Sequence, residues 1–196
     1  MSLLFYYPNR PILIPPDPEN PLNPKPDYIN SLEKSGQYVA EQKWNGDNCL
    51  IYTDDLSFWN REGGRLKYQP TPEVQEELAA FPKGCILNGE LVHNHTITIK
   101  NFILVHCLMA YEGHPLIGST WGDSRKILKT FIYGKHVVLS NLWKKGFWKL
   151  WNNSDGTIIE GIILKDPKGV LKFSTSPLKD VSWMMKIRKP SKKYPY

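Results

Sequence analysis

Lys43 closes the run Tyr38-Val39-Ala40-Glu41-Gln42-Lys43 and is followed by Trp44-Asn45-Gly46. A lysine there projects from the end of a strand, and Gly46 lets the backbone approach a ligand closely. At a free pKa of about 10.4 a lysine is almost wholly protonated near neutral pH and is a poor nucleophile. Neighbouring cations lower that value and free the lone pair. Lys186 and Arg188 alternate on one face of a candidate strand. They could supply that positive field and balance charge building on phosphate oxygens. Glu90 lies in Leu87-Asn88-Gly89-Glu90-Leu91 and Glu160 in Ile159-Glu160-Gly161-Ile162. Each is a carboxylate beside glycine in an apolar stretch, where burial without a partner is expensive. Singly, each feature has a plainer reading: a hairpin lysine, a solvated basic edge strand, a strand-edge glutamate facing water.

The elements that must position these residues are strand-rich. Tyr38 to Lys43 reads as a strand, and Asn48 to Thr53 as its hairpin partner across Asn45-Gly46. Leu56 to Asn60 is a further short strand. Thr71 to Phe81 is predicted helical, with Thr71 as cap, Pro72 at the first position, and Val74, Leu78 and Phe81 on one face. Cys85 to Val92, Thr96 to Ile99 and Phe102 to Ala110 are predicted strands. Ser124 to Tyr133 is a predicted helix, and Leu142 to Trp151 another, interrupted by Gly146. Thr157 to Lys165, Val170 to Ser174 and Trp183 to Arg188 are the last predicted strands. The expected class is α+β, mainly antiparallel sheets with flanking helices.

At 196 residues and 41% hydrophobic content the chain can bury one substantial core, with room for two sub-lobes. Pro8, Pro11, Pro15, Pro16, Pro18, Pro21, Pro24 and Pro26 forbid regular helix in the first stretch and favour an extended arm. The expectation is a single domain, 1–196, on which residues 1–35 pack as that arm. Asp27 to Lys34 forms one short helix within it, capped by Asp27. The formal charge of +6 favours a polyanionic partner. Cys49, Cys85 and Cys107 form no CxxC pair, which argues against a zinc knuckle or disulfide framework. No run approaches the ~20 apolar residues of a membrane helix. A soluble cytoplasmic monomer is expected.

Taken in order, Lys43 to Gly46, Asn60-Arg61-Glu62-Gly63, Leu87 to Leu91, Glu160-Gly161-Ile162-Ile163-Leu164-Lys165 and Trp183 to Arg188 resemble the covalent nucleotidyltransferase superfamily. That superfamily comprises ATP-dependent DNA ligases, RNA ligases and mRNA capping enzymes. Lys43 to Gly46 is similar to the nucleophile motif KxDG; the other four segments resemble motifs Ia, III, IV and V, and Phe102 to Gly113 motif IIIa. The resemblance covers Tyr38 to Lys189. It implies an adenylyltransferase core of the ligase and capping-enzyme type (ATP-grasp-like), ATP as cofactor, and a lysyl-AMP formed on Lys43. Lys186 and Arg188 would assist catalysis, and Mg²⁺ or Mn²⁺ would be held by Glu160, with Glu90 a second candidate ligand. Glu90 also resembles the residue that holds the ribose hydroxyls. Further implied nucleotide contacts are Glu41 and Gln42 at the adenine edge, Asn48, Arg61, His106 and Lys165. The partner would be a nicked or broken polynucleotide strand, sealed between 5′-phosphate and 3′-hydroxyl.

The departures from the family pattern are specific. Asn45 replaces the usual Asp of KxDG, Asn48 stands where DNA ligases commonly carry arginine, and Asn88 takes the place of a frequent Asp. His106-Cys107 replaces an aromatic–Asp pair, so His106 either stacks on a base or is a half-buried strand histidine. The KxNGxN form is closer to certain RNA ligases. Only Pro190 to Tyr196 follow motif V, and the expectation is a domain without a C-terminal OB domain. Both points tip the expected substrate slightly towards RNA. The alternatives are an ATP-dependent DNA ligase proper, a capping guanylyltransferase, or a faded nucleotide- or nucleic-acid-binding module. Outside these motifs, His93 and His95 alternate without completing a metal-ligand pattern. Trp143, Lys144, Lys145, Trp148, Lys149 and Trp151 form either a groove for a phosphate backbone or a tryptophan core with a solvated lysine face.

Overall fold

The computed structural model describes residues 8–14, 17, 24–172 and 180–190. They divide into two compact units. The first is built on residues 8–9, 46–139 and 170–172; the second takes in 10–14, 17, 24–45, 140–169 and 180–190.

In the first unit, β3 (Asp47–Tyr52), β4 (Ser57–Asn60), β5 (Ile86–Val92), β6 (Phe102–Tyr111) and β7 (His114–Pro115) form a sheet in the order β4-β3-β5-β6-β7. All these pairs are antiparallel, and β8 (Val137–Leu139) adds to β6 in parallel. Two helices accompany it, α2 (Pro72–Ala79) and α3 (Trp121–Leu128). Pro72 pre-sets the first turn of α2, and Val74 and Leu78 are its buried residues. With Phe81 they pack in a core that includes Ile51, Phe58, Leu87, Ile103, Val105 and Leu108. Thr120 caps α3 by accepting from the Asp123 N–H at 3.1 Å. Glu77 of α2 gathers the backbone N–H groups of Lys135, His136 and Val137, which fixes the entry into β8.

The second unit holds a four-stranded sheet ordered β1-β10-β9-β2, from β1 (Arg10–Leu13), β10 (Asp180–Arg188), β9 (Ile159–Lys165) and β2 (Val39–Trp44). β1 runs parallel to β10 and the other pairs are antiparallel. α1 (Pro26–Lys34) and α4 (Phe147–Asn152) supply Ile29, Phe147, Leu150 and Trp151 to one core with Ala40, Ile162, Leu164, Met185 and Ile187. Alternation along each strand gives the sheet one apolar face towards this core, leaving the opposite face to other side chains. Burying each Leu or Ile stabilises the unit by roughly 1.5–3 kcal/mol before entropy is counted.

The α+β class with mainly antiparallel sheets is as expected, but several elements differ. β2 and β3 are not a hairpin: β2 pairs with β9 in one sheet, and β3 lies between β4 and β5 in the other. An Asn-Gly hairpin turn of type I′ needs positive φ at both central residues. Neither Asn45 nor Gly46 is among the positive-φ residues, so the pair links two sheets instead of folding one back on itself. Thr96 to Ile99 is irregular, not a strand. The residue before the first helix is Lys25, with Pro26 opening the helix, so Asp27 sits in the first turn and is not the cap. α3 starts earlier than expected and ends at Leu128. α4 begins only after Gly146, whose φ of 79° is left-handed and stops the helix from starting at Leu142. Val170 makes only an isolated bridge to Thr120, and residues 173–174 of the strand expected there lie outside the described residues. Of the proline-rich stretch, Arg10–Leu13 is a paired strand.

Candidate active site

In the second unit, the face of the sheet turned away from the apolar core carries Glu41 and Lys43 from β2, Ile163 and Lys165 from β9, and Lys186 and Arg188 from β10. The register places Lys43 opposite Gly161, Lys186 opposite Ile163, and Arg188 opposite Gly161. By strict alternation Glu160 would share the core face with Ile162 and Leu164. The ladder between β2 and β9 breaks between Lys43 and Trp44, and Gly161 adopts φ 148°, a backbone region open essentially to glycine. These two irregularities bring the Glu160 carboxylate round to the Lys43 amine, with which it makes a direct ion pair. The Arg188 Nε lies 3.6 Å from the same carboxylate oxygen. The side chains are only 12% (Lys43), 14% (Glu160) and 21% (Arg188) exposed, so this is a sheltered three-charge cluster with limited solvent screening.

Glu41 and Lys165 are brought together on that face in another way. Lys165 Nζ lies 2.5 Å from Glu41 Oε2, with both side chains 2–3% exposed, and Ser140 Oγ donates to Glu41 Oε1 at 2.7 Å. Their charges are matched to each other inside the unit. Gln42 points to the face opposite Lys43 and is half-buried.

The remaining candidates belong to the first unit. Glu90 on β5 accepts the Gly46 N–H at 3.1 Å. A Cβ on Gly46 would lie 2.6 Å from the Leu91 carbonyl oxygen, which is why only glycine allows this approach. Asn48, opposite Glu90 in the ladder, donates to the Gly89 carbonyl at 3.2 Å and accepts from Asn88 at 3.3 Å. An arginine at Asn48 would not fit that exchange of amides between adjacent strands. Gly89 and Asn88 oppose Val105 and Cys107, leaving His106 as the extra residue of a bulge. A bulge re-aims its side chain; His106 is half-buried, and its carbonyl accepts the Trp121 indole N–H at 3.0 Å. Cys107 is buried 3.6 Å from the Ser124 hydroxyl. Arg61 stands on an exposed turn organised by the Asn60 side chain, 3.6 Å from Glu62. Burial, with the charges of Glu90 and Asp47 behind it, pushes the Cys49 thiol far above its ordinary range and leaves it inert.

Sequence reasoning missed the residues that hold Glu41 and the segment leading into Glu160 in place. Ser140 carried no local signal, since its contact with Glu41 spans 99 residues. Asp155 was more legible, because Ser154-Asp155-Gly156-Thr157 has the composition of a turn in which a carboxylate caps following N–H groups. Asp155 Oδ1 accepts from the backbone of Thr157, Ile158 and Ile159 and from the Thr157 hydroxyl. Burial alone would raise its carboxyl, but these hydrogen bonds outweigh that and hold it below the usual carboxylate range. His95 pairs with Asp47 at 2.9 Å and His93 accepts the Asn101 N–H at 3.3 Å. Among the described residues no three His, Cys, Asp or Glu side chains gather as a metal-holding group. A single carboxylate such as Glu160 still suits Mg²⁺, which keeps water and takes substrate oxygens for its other positions. Trp151 is fully buried and Trp148 stacks on it at 5.1 Å, while Lys144, Lys145 and Lys149 are exposed. Lys189 places its amine 3.6 Å above the Trp151 ring, and burial lowers its pKa.

No helix among the described residues is long and apolar enough to cross a membrane. No protein-family model and no curated protein matches the sequence. Solved structures do. The ligase domain of M. tuberculosis LigD superposes with a TM-score of 0.63 at 16% identity, over 92% of this chain and 59% of that one. The bacteriophage T7 ATP-dependent DNA ligase, solved with ATP, gives 0.56 at 14% identity over 95% of this chain and 69% of its own. An archaeal ATP-dependent RNA ligase gives 0.52 at 16%, covering 82% and 45%. This chain thus spans less than two thirds of the LigD ligase domain. Two sheets with few helices, in this order, are the nucleotidyltransferase-domain fold of ATP-dependent polynucleotide ligases.

Proposed function

We propose that this chain is an ATP-dependent polynucleotide ligase domain that forms a covalent lysyl-AMP on Lys43. The observation that carries the reading is the sheltered Lys43–Glu160–Arg188 cluster on a face shared with Lys186. Three residues from three strands meet there on a ligase fold, with Lys186 on the same face, and simple nucleotide binding does not require that lysine.

The Lys43 amine must lose its proton to solvent before it attacks, and its ion pair with Glu160 must open to expose the lone pair. Nitrogen then bonds to the α-phosphorus of ATP as the bond to the leaving pyrophosphate breaks. Lys186 and Arg188 offset the charge developing on the phosphoryl oxygens. In the second step a 5′-phosphate oxygen displaces the lysine nitrogen, which regains its proton. In the third a 3′-hydroxyl attacks that 5′-phosphorus and AMP leaves. Glu160 would hold Mg²⁺ or Mn²⁺, with Glu90 a second candidate, and the ion would neutralise triphosphate charge. Glu90, Asn48, Arg61, His106, Glu41, Gln42 and Lys165 are assigned to nucleotide contact on the strength of the motif resemblance. For Glu41 and Lys165 the contact runs through the backbone or a rearranged pair, because their side chains are engaged with each other. RNA is favoured slightly over DNA because Asn45 and Asn48 give the KxNGxN form.

Intact mass spectrometry after incubation with ATP or GTP and Mg²⁺ tests the chemistry. An added AMP with ATP, absent in Lys43→Ala, is expected. A GMP adduct would instead indicate a capping-type enzyme, and no adduct with retained nucleotide binding a faded module. Sealing of nicked duplexes carrying RNA or DNA at the 3′ side then decides the substrate.

A further inference from the structure

The link between Lys43 and Glu160 depends on how the two strands are held where their ladder breaks, between Lys43 and Trp44. Beyond the break Asn45 ties β2 to the segment before β9 twice. Its backbone N–H donates to the Ile158 carbonyl at 2.9 Å, and its side-chain Nδ2 donates to the Thr157 carbonyl at 2.8 Å. A backbone carbonyl can only accept, so the atom facing it must carry hydrogen. The Thr157 side of this clasp is itself fixed. Asp155 accepts from the Thr157 N–H and hydroxyl and from Ile158, and the Gly156 N–H donates to the Ile159 carbonyl at 2.9 Å.

We propose that Asn45 is a positioning residue for Lys43, acting as a hydrogen-bond donor whose role a carboxylate cannot fill. The proposal rests on the reading of Lys43 as the AMP acceptor. An aspartate here, of the same size, would turn lone pairs towards the lone pairs of the Thr157 oxygen. Repulsion would replace the side-chain half of the clasp, leaving only the backbone bond to Ile158, and loosen the segment that leads into Glu160. Once protonated, the aspartate could donate again.

The experiment compares Asn45→Asp, Asn45→Ala and the unaltered chain in single-turnover AMP adduct formation near pH 8, where an aspartate is fully ionised. Asn45→Asp should be slower on the order of tenfold near pH 8, the scale of one lost and reversed hydrogen bond. Asn45→Ala, which removes the donor without adding repulsion, should be slowed less. A ratio near one for Asn45→Asp, or a deficit no larger than that of Asn45→Ala, overturns the proposal. Amide hydrogen exchange over residues 155–160 is read on the same proteins. If the unaltered chain forms no adduct, the functional reading fails, and exchange decides the clasp alone. Faster exchange in Asn45→Asp than in Asn45→Ala and the unaltered chain supports it, and unchanged exchange refutes it.

Discussion

Glu160 and Glu41 show two uses of a carboxylate on one sheet face. Glu160, at 14% exposure, meets Lys43 and Arg188 and keeps part of its side chain open to solvent. Glu41, at 3%, is committed to Lys165 and Ser140. A buried ion pair contributes little net stability against a well-packed apolar pair, but removing one partner strands a charge. Glu41→Ala or Lys165→Ala should therefore lower the unfolding free energy by about 3–5 kcal/mol, whereas Glu41→Leu combined with Lys165→Met should recover most of it. Denaturant unfolding of the three variants measures this. Equal losses in the single and double variants would mean that packing, not stranded charge, sets the cost.

The strand β9 is where local irregularity becomes a site. Gly161 at φ 148° and the register break place Glu160 with Lys43, and the Asp155 turn fixes how the strand begins. The Asp155 carboxyl is held below its ordinary value by hydrogen bonds from Thr157, Ile158 and Ile159, which exceed the opposing effect of burial. A folded-state pKa below the unfolded one contributes stability that is complete above the unfolded value, about 3.9, and is lost as pH falls through the folded value. The difference in melting temperature between the unaltered chain and Asp155→Asn should be steady above about pH 5 and shrink below about pH 4. A difference that persists unchanged into stronger acid would show that the charge is not what holds the turn. These features mark the limit of what the sequence discloses. The order of Lys43, Glu90, Glu160, Lys186 and Arg188 was readable because each sits in a short motif, and Val74 and Leu78 announced α2 through helical spacing. The partner of β2 was not readable. Asn45-Gly46 has hairpin composition, and only the backbone angles and the distant β9 decide against a hairpin. Glu160 was assigned from its motif, yet the reason it reaches Lys43 is a glycine conformation that alternation alone would have excluded.

At the scale of the whole chain, two hydrophobic clusters are filled separately, and the candidate residues are shared between the units that contain them. Of the mixed tryptophan–lysine segment, Trp151 and Phe147 belong to one of these cores, and Trp151 cannot stack on a base because no part of it reaches solvent, whereas Trp143 and Trp148 are only partly buried. Its lysines are another matter. Lys144, Lys145 and Lys149 are exposed beside that core, on a chain of net charge +6. If they contact a phosphate backbone, binding releases condensed counterions, and log affinity falls with log salt by about 0.7–0.9 per phosphate neutralised. Replacing all three by Ser should then flatten the salt slope by about two to three, weaken binding alike for every sequence, and leave AMP transfer to Lys43 unchanged. A polynucleotide titration across a range of salt concentrations measures the slope. An unchanged slope would assign these lysines to solvation of α4 and move the search for the backbone-binding face to other basic residues.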